Sequence, residues 1–104
     1  MAKYLFVYHG GSVPESEDAI KEVLAAWNGW LGGLSSVAID SGNPVGQSHT
    51  VHPDGATTAD GGTNPVSGYG IFEATDMDNA LAIAKGCPIL EGGGSVEVAE
   101  IHEM

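Results

Sequence analysis

The sequence is short of positive charge. It contains no arginine and only three lysines, Lys3, Lys21 and Lys85, against fourteen Asp and Glu, for a net charge of −11. Three scattered cations build no basic patch, so the pattern predicts no nucleic-acid partner and no anionic membrane surface. Cysteine is nearly absent. The single Cys87 excludes an internal disulfide and predicts a reducing, cytoplasmic setting. No apolar run approaches the ~20 residues that span a bilayer, and MAKYLFVYHGG lacks the long apolar core and cleavage site of a secretory signal. Metal-binding clusters are missing as well. His49 and His52 are three apart, and in a strand they point to opposite faces without a third ligand nearby, so no metal is expected. The sixteen glycines include no strand-GxGxxG-helix arrangement, and no nucleotide or other cofactor is expected.

What is present is a globular composition, 42% hydrophobic over 104 residues, which predicts one domain over 1–104. Lys3–Tyr8 is aromatic and β-branched on both faces and reads as a central strand. A helix follows between residues 12 and 34, opened by a Ser12–Glu15 capping box, with Pro14 in its first turn. Ile20, Val23, Leu24, Trp27, Leu31 and Leu34 recur at helical spacing and form its apolar stripe, with Trp30 at the edge. Gly29, Gly32 and Gly33 fall opposite the stripe and weaken the helix end. Val37–Ile39 reads as a short extended piece, Asp40–Pro44 as a turn, and Ser48–His52 as a weak strand. Asp54-Gly55 and Asp60-Gly61-Gly62 are turn signals.

The second half is more regular. Gly68–Ala74 reads as a strand. Thr75 with Asp78 predicts a capping box for a second helix, whose stripe is Met77, Ala80, Leu81 and Ala84 and which stops at Gly86 and Pro88. Ser95–Ile101 alternates as a last strand. The order β-α-β-β-α-β is that of a ferredoxin-like α+β fold, with both helices on one sheet face. The other face, left apolar, predicts a homodimer.

The stretches KYLFVYHGG, AAWNGWLGGL with DSGNP, GYGIFEATDMDNALAIAKGCP and GGSVEVAEIHEM, taken in order, resemble the YCII-related proteins with DGPF-type domains. The resemblance implies a dimeric α+β barrel and a pocket between sheet and helices or within the barrel. Relatives of this kind carry a helix histidine paired with an aspartate as their proposed catalytic dyad. The first helix here has no histidine, and the matching position falls on Trp27. The DGPF tetrapeptide is also absent, with Gly62-Thr63-Asn64-Pro65 near its place.

The remaining polar residues mark the candidate site. His9, at the exit of the first strand, suits acid–base work near neutral pH. It is expected to meet Tyr69 at one edge of the sheet, facing a common cavity. His49 is the second candidate. Asp40 and Asn43 flank the GNP turn, and Trp30 could line an apolar pocket with them. Cys87, with no base nearby, reads as a buried thiol. Two functions follow. One is a small-molecule binding or accessory role, which the missing helix histidine favours. The other is an enzyme acting on a small cyclic or aromatic metabolite through His9 or His49.

Overall fold

A computed structural model describes residues 1–11 and 14–104. The elements run β1 (Ala2–His9), α1 (Glu17–Gly33), β2 (Ala38–Pro44), β3 (Thr50–Val51), β4 (Thr57–Thr58), β5 (Val66–Ala74), α2 (Met77–Ala84), a 3₁₀ turn (Pro88–Leu90) and β6 (Ser95–Glu100). The main sheet has the order β2-β5-β1-β6, every neighbouring pair antiparallel. This is the ferredoxin-like arrangement, with β3 and β4 added as a hairpin between its second and third strands. The hairpin pairs only with itself and turns at Asp54, whose carboxylate accepts from the Ala56 N–H.

Alternation along β1 and β5 divides the sheet into two faces. Tyr4, Phe6 and Tyr8 of β1, with Phe72 and Ala74 of β5, are buried beneath the helices. Phe6 and Phe72 are fully enclosed, their ring centroids 4.7 Å apart. Trp30 packs on Phe72 at 5.8 Å and donates its indole N–H to the Ile83 carbonyl at 3.3 Å, which ties α1 to α2. On the other face Leu5, Val7, Tyr69 and Ile71 stay half-exposed.

Several local expectations are corrected. The cap of α1 is Ser16, which accepts from the Ala19 N–H at 3.1 Å. The expected Ser12–Glu15 box reaches Ser12, which lies outside the described residues, and Pro14 precedes the helix. Asp76, a better cap than Thr75, opens α2 by accepting from the Asn79 N–H, while the Asn79 side chain accepts from the Thr75 N–H. Of the expected α2 stripe, Ala80 and Ala84 are buried, whereas Met77 and Leu81 are exposed and Ile83 packs on the core in their stead; Cys87, beyond the helix, is buried as well. Asp40–Pro44 is not a free turn but the bulged end of β2. Gly42 there has φ +79°, and a Cβ on it would collide with the Tyr69 carbonyl. The turn-like composition of DSGNP therefore serves a strand that must kink. The expected strand Ser48–His52 contracts to Thr50–Val51.

Candidate functional site

The apolar stripe of α1 is only partly seated. Trp27, Leu31 and Leu34 pack against the core, while Ile20, Val23 and Leu24 are exposed. Val23 and Leu24 border a cleft of about 330 Å³ that opens between α1 and the β2–β5 side of the sheet. Val23, Leu24, Trp27 and Leu31 form its helix wall. Ser41–Pro44 form the strand edge, Tyr8 and Ser67–Tyr69 the sheet side, and Ile89 closes one end. No lining residue carries a charge.

Two glycines of β5 make room for the Tyr8 ring. A Cβ on Gly68 would lie 3.2 Å from the ring, and one on Gly70 would lie 3.3 Å from the Tyr8 hydroxyl. The ring meets Trp27 edge-to-face at 5.1 Å. The hydroxyl is buried and has no hydrogen-bond partner, and the Ser67 hydroxyl is in the same condition. Burial pushes the Tyr8 phenol above its ordinary value, with the neighbouring Cys87 adding to the effect, so the group stays protonated. Burial likewise pushes the Cys87 thiol up to about 11, which leaves it a poor nucleophile at neutral pH.

The residues singled out from sequence are dispersed. His9 is 8% exposed and lies off the cleft lining, on the sheet face turned away from the helices. Its Nε2 donates to the Glu97 carboxylate at 2.9 Å and its Nδ1 to the Pro65 carbonyl at 3.2 Å. The Glu97 bond, opposed by burial and helped by Pro65, holds its pKa above the ordinary value. Register sets His9 opposite Val66 and Tyr69 opposite Val7, and of the two only Tyr69 lines the cleft. A bulge between Tyr8 and His9 shifts the pairing. Tyr69 accepts from the Asn43 amide at 3.5 Å, and both border the cleft. Asp40 is exposed and accepts from the Gly42 N–H at 2.8 Å. Trp30 is held in the core rather than on the cleft wall. His49 is exposed, and His52 bonds the Thr58 hydroxyl within the hairpin. Among the described residues no three His, Cys, Asp or Glu side chains gather as metal ligands would.

The family model of the YCII-related domain matches residues 4–104. The chain belongs to the YCII-related family. The structure is similar to 5-chloro-2-hydroxyhydroquinone dehydrochlorinase from Burkholderia phenoliruptrix AC1100, solved in complex with 2,5-dihydroxybenzoquinone. The TM-score is 0.57 at 19% identity, over 96% of this chain and 95% of that one. At that identity the likeness establishes the shared fold. No curated protein matches the sequence. Within this YCII-related chain the helix position given to a dyad histidine by resemblance is Trp27, a wall of the cleft. Sequence reasoning missed Tyr8 and Ser67. The usable signal was Gly68-x-Gly70 on a strand facing aromatic β1, since glycines on one face leave space for a ring from the neighbouring strand. No helix of the described residues is long and apolar enough to cross a membrane.

Proposed function

We propose that this protein binds a small ring-shaped molecule in the cleft between α1 and the β2–β5 side of the sheet. The observation that carries the reading is the uncharged, largely aromatic and aliphatic cleft of about 330 Å³, near the lower end of ligand-pocket sizes, about 300–1,000 Å³. Trp27 and Tyr8 offer it ring surfaces at one end, and Val23 and Leu24 form an exposed lip. We further propose that a second copy covers the helix-free sheet face, giving a homodimer. Leu5, Val7 and Ile71 supply apolar surface there. The lone buried thiol fits a cytoplasmic setting.

The binding reading is tested by a thermal-shift screen of ring-sized metabolites, with native mass spectrometry on the hits. Hits should be retained by the wild type and lost in Leu24→Asp, which places a charge on the apolar lip at an exposed position. Hits that survive Leu24→Asp, or no retained compound at all, would overturn it.

A second reading, an enzyme acting on a small cyclic or aromatic metabolite with His9 or His49 as acid or base, draws on the activity of the structural neighbour. It expects dehydrochlorination of a chlorinated hydroxyhydroquinone that His9→Ala or His49→Ala abolishes. Turnover unchanged in both variants would remove both histidines.

A further inference from the structure

Between Pro44 and Val66 the chain leaves the main sheet and forms the β3–β4 hairpin. Residues 45–65 are exposed, apart from the half-buried Ser48 and Thr50, and Val51 is 72% exposed. The segment bonds to itself. Gln47 donates its amide to the Ala59 carbonyl at 2.8 Å, Thr50 its hydroxyl to the Asp60 carbonyl at 2.6 Å, and the His52 ring meets the Thr58 hydroxyl at 3.2 Å. Among the described residues, hydrogen bonds tie it to the body only at its root, from the Val45 N–H to the Ser67 carbonyl and from His9 to the Pro65 carbonyl. A two-stranded hairpin with no core beneath it is marginal in water, and an excursion of this length in a small domain calls for a function.

Surface area points the same way. The molecule exposes 6853 Å², whereas a compact monomer of 10.6 kDa exposes about 5,500 Å². The surplus, about 1,400 Å², exceeds the roughly 800 Å² that each partner buries in a standard protein interface. The root of the hairpin is continuous with the helix-free sheet face, because His9 on that face holds the Pro65 carbonyl. The sheet edges are poor places for a partner. β6 carries Glu97 and Glu100, and β2 kinks at Gly42 and ends in Pro44, which has no N–H to offer. A partner therefore comes across the face. A two-fold pairing of copies joins two such faces and brings each hairpin to the other copy, so one closed contact covers the surplus on both.

Resting on the homodimer reading above, we propose that residues 45–65 form an arm that clasps a second copy of this chain, lying on the partner beside the joined sheet faces. The arm lacks a core of its own because the partner's surface supplies one. Val51 provides apolar contact, with Thr57 opposite it on β4. Side chains already bonded inside the hairpin enter the contact with little further loss of freedom. The arm also suits an acidic partner. Its only carboxylates, Asp54 and Asp60, each accept from a backbone N–H, of Ala56 and Gly62 respectively, so it brings little unpaired negative charge to a subunit of net charge −11.

Sedimentation equilibrium of three proteins tests the arm: the wild type, Val51→Lys, and a shortened chain in which Asn-Gly replaces residues 47–62. β2 and β5 are already antiparallel neighbours, so a short turn can join them. Near-ultraviolet circular dichroism from Trp27 and Trp30 checks that the body is folded. The wild type should dimerise at micromolar concentration. The shortened chain should associate at least about a hundredfold more weakly, and Val51→Lys at least about tenfold. Lysine at position 51 lowers the net charge of each subunit, so added repulsion would not account for that loss. Should the shortened chain fail to fold, Val51→Lys decides alone. Association as tight in both variants as in the wild-type dimer overturns the arm and leaves the homodimer standing. A monomeric wild type removes the second copy as the occupant and overturns arm and homodimer together.

Discussion

Both ring nitrogens of His9 face acceptors, the Glu97 carboxylate and the Pro65 carbonyl. A neutral imidazole has one N–H and satisfies one of them, whereas the imidazolium satisfies both. Its pKa is accordingly raised above 6.5, first through the Glu97 bond. Because the folded value lies above the unfolded one, the stability this adds is fully present below about pH 6.5 and is lost as pH climbs through the folded value. An NMR titration of the His9 ring should show that raised value in the wild type and one closer to 6.5 in Glu97→Gln. The gap in urea midpoint between the two proteins should narrow as pH rises through the same window. An unshifted ring in the wild type would contradict the pair. A histidine bonded on both nitrogens has no free lone pair while charged, so acid–base service at His9 requires release of one partner first.

Among the elements, α1 and β2 carry glycines of opposite meaning. Gly29 lies within α1, where an added Cβ meets nothing within 4 Å. Gly29→Ala should therefore raise stability by about 0.5–1 kcal/mol. Gly42 has φ +79° and its Cβ would strike the Tyr69 carbonyl, so Gly42→Ala should cost more than about 2 kcal/mol. Urea denaturation of the two variants checks both signs, and equal effects would refute the distinction. The same contrast explains what could be seen in the sequence. Regular elements announce themselves by period, and KYLFVY, the α1 stripe and SVEVAE were legible for that reason. DSGNP was not, because kinked strands and turns use the same residues and only the partner strand decides between them. Of the stripe legible in α2, Ala80 and Ala84 are buried, while the larger Met77 and Leu81 stay exposed and Ile83 packs on the core instead, since small alanines allow the closest approach to the sheet. The site was less legible than the fold. A stripe from Ile20 to Leu34 promises a seated helix, and nothing local reveals that its first half stands over a cleft. Tyr8 read as core, which its ring is, while its hydroxyl is a three-dimensional oddity that depends on Gly68, Gly70 and Trp27 together.

The whole molecule is a plate, with principal extents of 43 × 42 × 18 Å. Its radius of gyration of 15.0 Å exceeds the ~13 Å of a round protein of this length. Its shortest dimension accommodates one sheet and one helical layer, so the second sheet face has no helical layer over it. Two subunits of charge −11 repel, so the proposed dimer should tighten as salt screens them. Light scattering at low and high ionic strength checks this. A monomer mass at micromolar concentration in both would sink the dimer, and weakening with salt would point to ion pairs across the interface. Thinness has another consequence, for the exchange of backbone amide protons with water. In a plate, depth shields almost nothing, so protection must come from pairing. β1 and β5 are bonded on both sides, β2 and β6 on one, and the β3–β4 hairpin stands apart. Amides on the inner strands open only when the whole sheet does, while the hairpin opens alone. The slowest clock in the molecule therefore runs along β1 and β5, the two strands that also hold Tyr8 and Ser67.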